Sequence, residues 1–465
     1  MSHSTAGKRA RQIEKLRAQF GQSENLAFAE VLPAERIEKA LREENVAWRE
    51  CVFTPLVTLW AFLGQMLSPD GSCRAAVARA LVWLVSCGEK PCSPQTGPYC
   101  KARQRLPEAL LVRLARETGQ TLHDQVAEQW RWKGRRVKLV DGSTSSMPDT
   151  PENQAAYPQP VSQKPGLGFP LVRFVVVFCL ACGTVVDAAL GRYAGKQTGE
   201  NALLRSLRGA FTPGDVLMAD RYFSGYFDIA WWQQGDVDLV VRLHQRRRCD
   251  WRRGRRLGPN DHVVLWTKPK QRPKWMDQAT YEQMPPTLEL REVRVWIARP
   301  GFRTQEVVIV TTLLDDTTYT AQDLADLYRA RWHAELDLRS LKVTLGMDVL
   351  RCHTPEMIRK EIWAHLLAYN LIRTLMAQAA DANLCEPRHL SFKGTLQTLN
   401  AFAERLESAG GRTKAELYTW LLAAIGSHRV GDRPNRVEPR ARKRRPKPYP
   451  LLTKPRNVAR KQLVA

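Results

Sequence analysis

Apolar residues in the first quarter of the chain recur three and four positions apart, as in Ile37/Leu41, Val77/Leu81/Leu84 and Leu106/Leu110/Leu114. This spacing predicts helices from Arg9 to about Val126, broken at Pro69-Asp70-Gly71 and between Pro94 and Pro98. At Arg135-Arg-Val-Lys-Leu-Val-Asp141 the period changes, and Val137, Leu139 and Val140 predict a strand that ends in Asp141-Gly-Ser-Thr144. Leu171 to Leu180 is a nearly continuous β-branched run; the turn Ala181-Cys-Gly-Thr184 and a second strand, Val185 to Leu190, complete a hairpin. A helix is predicted at Asn201 to Leu207. Val216-Leu-Met-Ala-Asp220 follows as a short buried strand, again ending in an aspartate. Phe227, Ile229 and Trp232 mark a helical stretch, and Asp238 to Leu243 reads as strand. Val263 to Trp266, Leu288 to Ile297 and Glu306 to Leu313 are predicted strands separated by Pro/Lys-rich loops. Helical spacing returns from Leu327 through Lys342, then at Glu356 to Ala380 and about 395–425.

The pattern predicts an α/β fold. Two strands ending in carboxylates, separated by a hairpin and a helix, place a site at the carboxyl edge of a mixed sheet. The expected division is a helical N-terminal domain at 1–133, an α/β core at 134–243 and 304–385, a β-rich insertion at 244–303, a helical region at 386–427 and a basic, largely irregular tail at 428–465.

Charge narrows the function. A formal net charge of +24 favours a polyanionic partner, either nucleic acid or an anionic membrane surface. The membrane is the weaker reading: Met1 to Phe20 has no apolar core, and Cys51 to Leu67 falls short of the roughly 20 apolar residues a span needs. Eight arginines crowd Arg242 to Arg256 against one acid, Asp250, and the tail from His428 holds thirteen Lys or Arg against Asp432 and Glu438. Tyr99-Cys-Lys-Ala-Arg-Gln-Arg-Leu106 adds three cations, which makes the N-terminal helices a candidate DNA contact. The ten cysteines are scattered, several in apolar segments, and read as reduced thiols; Cys87-x4-Cys92-x7-Cys100 lacks a convincing fourth ligand for zinc.

Candidate chemistry centres on Tyr328 to Lys342. On one continuous helix Tyr328, Arg331, Glu335 and Lys342 fall within about 60° of one another, beside the apolar stripe of Leu327, Ala334, Leu338 and Leu341. An Arg–Glu pair at i, i+4 is ordinarily a solvated ion pair. The four-position spacing Y-x2-R-x3-E-x6-K, however, resembles the Y-R-E-K signature of DDE transposases from bacterial insertion sequences. Val140-Asp-Gly-Ser-Thr144 and Met218-Ala-Asp-Arg-Tyr-Phe223 are similar to the two aspartate motifs of the hairpin-forming branch, and Arg445-Pro-Lys-Pro-Tyr-Pro-Leu-Leu452 is similar to its tail.

The resemblance implies a ribonuclease-H-like core interrupted by a β insertion. Asp141, Asp220 and Glu335 would be the catalytic, metal-holding carboxylates, with Asp141 bridging two Mg²⁺ ions that Mn²⁺ could replace. Tyr328, Arg331 and Lys342 would bind DNA phosphates, and Trp266 or Trp296 of the insertion would hold a flipped base during hairpin formation. The implied partners are the double-stranded DNA of the element's ends and of the target, with the protein a homodimer when ends are paired, associated with DNA in the bacterial cytoplasm. Two rivals share the carboxylates or the fold: a two-metal endonuclease without strand transfer, and an inactive DNA-binding relic.

Overall fold

The structure, a computed structural model, describes residues 28, 31–46, 48, 51–86, 90–296, 306–431 and 449–464. The start of the expected first helix at Arg9, Cys87 of the cysteine cluster, Ile297 and most of the basic tail, including Arg445 to Pro448, lie outside the described residues.

The chain divides into two compact units, one formed by Met1–Val126, Cys182–Asp187 and Leu338–Val430, the other by Ala127–Ala181, Ala188–Asp337 and Gly431–Ala465. This differs from the expected boundaries: the helix Pro355–Ala382, assigned to the catalytic core from sequence, groups with the N-terminal helices. The reason is its burial on nearly every side, which requires helical neighbours all round. It packs on the helix Glu108–Asp124, and Asn370 joins the two by donating to the Ala115 carbonyl at 2.9 Å. The same Asn370 side chain donates to the Val185 carbonyl and accepts from the Val185 amide, both at 2.8 Å, so one buried amide satisfies three backbone groups. Gly119 is required at this junction, because a Cβ there would lie 1.8 Å from the Val185 oxygen.

Within the first unit, Phe53, Val57, Val77, Leu84 and Tyr99 form the core beneath the helices Pro55–Leu67, Cys73–Ser86 and Gly97–Arg105. Of the three cations read as DNA-facing, Lys101 and Arg105 are exposed, but Arg103 is buried. Its guanidinium lies over the rings of Phe62 and Tyr99 and donates to Gln65 and Cys73, so it serves the core.

The second unit is built on a nine-stranded mixed sheet, of which only residues 185–187, the start of an edge strand, are counted in the first. Its strands are β1 (Val137–Ser146), β2 (Leu171–Cys179), β3 (Val185–Arg192), β4 (Val216–Ala219), β5 (Asp238–Arg242), β6 (Arg255–Gly258), β7 (Asp261–Thr267), β8 (Thr287–Trp296) and β9 (Glu306–Thr311). Their order is β3-β2-β1-β4-β5-β9-β8-β7-β6. β1, β4 and β5 are mutually parallel, β1 and β2 antiparallel, and β9 antiparallel to both β5 and β8. The insertion therefore extends the sheet through β9. It also contains β6 and the helix Gln278–Gln283, neither anticipated, because their short polar sequences lack periodicity.

One further expectation is corrected. β1 does not end at Asp141 but runs to Ser146, because Gly142 to Ser146 keep pairing with the apolar strand β2 in spite of turn-forming composition. Within the tail, expected to be largely irregular, Arg456–Val464 is helical.

Beneath the parallel strands lies a buried ion pair. The Lys138 ammonium donates to Asp215 Oδ2 and to the Ala210 carbonyl, each at 2.7 Å, and both side chains are 1% exposed. Asp215 also accepts from the Thr212 amide at 2.7 Å, which ties the loop before β4 to β1. Removing one partner leaves a buried charge uncompensated. Asp215→Ala is expected to cost about 3–5 kcal/mol in guanidinium unfolding, while Lys138→Met/Asp215→Leu recovers most of the loss. Equal destabilisation by the single and double variants would sink this account.

Candidate active site

The parallel register of β1 and β4 positions the first two carboxylates. Val137 pairs with Val216 and Leu139 with Met218; the same register carried two residues further sets Asp141 level with Asp220. Beyond Leu139, β1 has no recorded pairing to β4, so Asp141 lies where the parallel ladder opens. Its Oδ1 accepts from the Gly142 amide at 2.9 Å. Asp220 leaves the end of β4 and caps the 3-10 turn Arg221–Phe223, accepting from the Tyr222 amide at 2.7 Å. Each carboxylate is thus held by backbone.

The signature segment is not one helix. Thr320 and Asp323 form a reciprocal capping box that starts the helix Ala321–Ala330, which carries Tyr328. Arg331 is its C-cap, and a second helix, Trp332–Arg339, carries Glu335. A π turn, Ser340–Thr344, follows and contains Lys342. The regular 100° spacing behind the expected common face therefore does not run through to Lys342. That residue falls beyond Asp337, in the first compact unit, where its ammonium pairs with Asp348 at 3.0 Å.

Tyr328, Arg331, Glu335, Asp141 and Asp220 do come together in the second unit. Arg331 donates to Glu335 Oε1 at 3.0 Å. Burial pushes the Asp141 carboxyl up to about 6; the Gly142 amide and Arg331 oppose this, and the nearby Glu335 and Asp220 carboxylates add to it. Burial works against the charge on Arg331, but Tyr328, Glu335 and Asp141 outweigh it and hold the guanidinium protonated. The Tyr328 phenol is buried and raised by desolvation, with Arg331 and Arg242 pulling the other way.

Glu200 is an additional acidic neighbour that the sequence reading missed. It opens the helix Glu200–Ser206, and burial raises its carboxyl, with Arg173 opposing and Asp220 adding. A Cβ on Gly142 would lie 2.6 Å from the Glu200 carboxyl carbon, so the glycine after Asp141 makes room for this side chain. The available signal was Gly199-Glu200 at a helix start, where an acid ordinarily serves only the helix dipole.

The two tryptophans differ. Trp266 is 5% exposed, with its indole N–H donating to Glu292 at 2.8 Å and the Arg247 guanidinium over its ring. Trp296 is 63% exposed at the end of β8.

An all-oxygen donor set of converging, partly desolvated carboxylates beside Arg331 fits a hard divalent cation. Asp141, Asp220 and Glu335 are the residues that could hold it. Because the folded, metal-free protein binds the Asp141 proton more tightly than the unfolded chain, the associated stability is complete below about pH 4 and is lost as pH rises through 6. In chelator at about pH 8, Asp141→Asn is expected to be more stable than wild type by up to about 3 kcal/mol, with the gap closing at about pH 4. Guanidinium unfolding across that range checks it; a gap independent of pH would contradict it.

Residues 132–371, more than half of the chain, match the family model described as transposase DDE domain. The chain is 27% identical over 438 residues to the transposase InsG for insertion sequence element IS4 of Escherichia coli (strain K12), covering 92% of this chain and 94% of that one. It is 39% identical over 74 residues to the transposase for insertion sequence element IS421 of Escherichia coli, covering 16% of this chain and 20% of that one. Among solved structures, it is similar to a piggyBac transposase in a synaptic complex with hairpin DNA, at TM-score 0.41 and 9% identity, covering 86% of this chain and 84% of that one. The chain belongs to the DDE transposases and is a DNA-cleaving transposase of an insertion sequence.

Proposed function

We propose that the chain binds the terminal inverted repeats of its element as double-stranded DNA, pairs them as a homodimer, cleaves each end and joins the 3′ ends to target DNA. The observation that carries this reading is the convergence of Asp141, Asp220 and Glu335 around Arg331. The β3-β2-β1-β4-β5 order, with parallel β1, β4 and β5, supports a ribonuclease-H-like core.

Asp141, Asp220 and Glu335 would hold two Mg²⁺ ions, with Mn²⁺ a substitute. Such a pair, when bound, activates the attacking hydroxyl and offsets charge on the departing oxygen. Arg331, fixed by Glu335, presents its remaining N–H groups to a phosphate, and the buried Tyr328 phenol donates beside it. Lys342 is assigned to a DNA phosphate on the signature spacing alone.

The hairpin route needs an aromatic face for an extruded base, and the registers favour Trp296 over Trp266. Ala219 pairs with Val241, Arg242 with Ile309, and Ile309 with Val293. Trp296 lies three residues beyond that level, off the edge where Asp220 stands, whereas Trp266 pairs with Leu288 towards the opposite edge.

On labelled DNA carrying the element's ends, with Mg²⁺, wild type is expected to yield hairpin and joined products and Glu335→Ala neither. Nicking alone by wild type would point to an endonuclease, and binding without cleavage by either protein to a relic. Trp296→Ala is expected to leave the first nick intact and lower hairpin yield at least about tenfold, from loss of roughly 1–3 kcal/mol of base stacking. Trp266→Ala lowers it no further than its loss of folded protein does.

A further inference from the structure

Cys249, His262 and Glu292 form a second constellation of donor atoms within the insertion, independent of the three carboxylates. His262 on β7 and Glu292 on β8 are directly paired across the ladder, so their side chains share one face. Cys249 comes from the arginine-rich segment that follows β5. The Cys249 sulfur lies 3.4 Å from His262 Nε2, and His262 Nε2 lies 3.2 Å from Glu292 Oε2. All three atoms are within 4.8 Å of one another.

A tetrahedral zinc, with bonds of about 2.0–2.3 Å to N, O and S, spaces its ligand atoms roughly 3.3–3.6 Å apart. The two short separations, 3.4 and 3.2 Å, come within about 0.2 Å of those edges. The outer contacts fit as well. His262 Nδ1 lies 2.8 Å from the Arg253 carbonyl, a bond that places the proton on Nδ1 and leaves the Nε2 lone pair facing Cys249 and Glu292. Trp266 donates to Glu292 Oε1 and leaves Oε2 directed inward. A lone pair and a carboxylate oxygen at that distance repel unless a proton or a cation lies between them. Protons on His262 and on the Cys249 thiol would also bridge these atoms; a sulfur, an imidazole nitrogen and a carboxylate oxygen together make the donor set of a borderline-soft metal.

We propose that Cys249, His262 and Glu292 bind one zinc-type divalent ion that fastens the arginine-rich segment to β7 and β8. His262 and Glu292 are nearly fully buried, and the Trp251 ring lies 4.6 Å from the His262 ring, tilted 32° to it. Arg246, Arg247, Arg248, Arg252 and Arg253 around it are exposed. Three protein ligands leave one coordination position for water. The ion organises cations that face a polyanion and takes no part in phosphodiester chemistry.

The test is metal content and cobalt spectroscopy on the full chain. Wild type incubated with zinc and freed of excess by gel filtration is expected to retain about one ion per chain, and Asp141→Asn to retain the same. Cobalt in place of zinc should give a thiolate-to-cobalt charge-transfer band in the near ultraviolet. Cys249→Ser, a near-isosteric change that spares the His262–Glu292 contact, should lose the band and weaken zinc retention at least about tenfold, as ligand loss does. Circular dichroism of this variant identifies misfolding, and Glu292→Gln gives a second, independent removal of a ligand. Wild type that retains no zinc and shows no charge-transfer band overturns the proposal in favour of a protonated His262–Glu292 pair. A band equally strong in folded Cys249→Ser overturns it too, because another cysteine would then be the ligand.

Discussion

Everything at the candidate site depends on how two parallel strands are aligned. A one-residue slip of β1 against β4 would turn Asp141 to the opposite face of the sheet and separate it from Asp220. The alignment is fixed from beneath by the Lys138–Asp215 pair, which joins β1 to the loop entering β4 in a place where neither charge reaches water. Such a pair adds little net stability over a well-packed apolar one, but it strongly penalises any arrangement that separates its members. A buried ion pair is a costly fastener for strands of Val and Leu, and a suitable one where two carboxylates further along must meet at a set level.

The carboxylates make the opposite demand. Asp141, Asp220, Glu335 and Glu200 raise the local density of negative charge, and Arg331 offsets only part of it. An apolar replacement at these positions would pack at lower electrostatic cost, so the site is unstable in itself and depends on the sheet to hold it. Backbone amides supply the remaining restraint: Gly142 on Asp141 and Tyr222 on Asp220 fix the carboxylates without adding a side-chain cation that would compete with a metal.

Much of this was legible in the sequence. β2, β3, β4, β5, β8 and β9 lie close to where alternating or continuous apolar runs predict them, and the two aspartates stand where the parallel ladder ends. What was not legible depends on tertiary contact. Gly142-Ser-Thr-Ser-Ser146 reads as a turn, and only its pairing with β2 makes it strand. The break at Arg331 and the π turn at Ser340–Thr344 leave no mark in the apolar spacing, so the single helical face extended too far, to Lys342. Arg103 reads as a surface cation because charge in a sequence carries no information on the aromatic pocket of Phe62 and Tyr99 that receives it. Glu200 was hidden because its partner is a glycine some sixty positions earlier in the chain.

The insertion shows why continuity of hydrogen bonding matters more than domain labels. Had the β-rich segment folded on its own, its placement beside the carboxylates would depend on two linkers. Instead β9 pairs with β5 on one side and β8 on the other, so strand pairing connects Asp220 to Trp296 without interruption through β4, β5, β9 and β8. The arginine-rich segment leaves β5 at this same edge and returns to the sheet through β6. Glu292, which faces His262 across the ladder, pairs on its other side with Val310, and Val310 pairs with Val241 near the end of β5. Carboxylates, an exposed aromatic and a cluster of cations are thereby set along one edge of one sheet by main-chain geometry. Side chains there can change while the spacing stays fixed by strands whose apolar faces hold it.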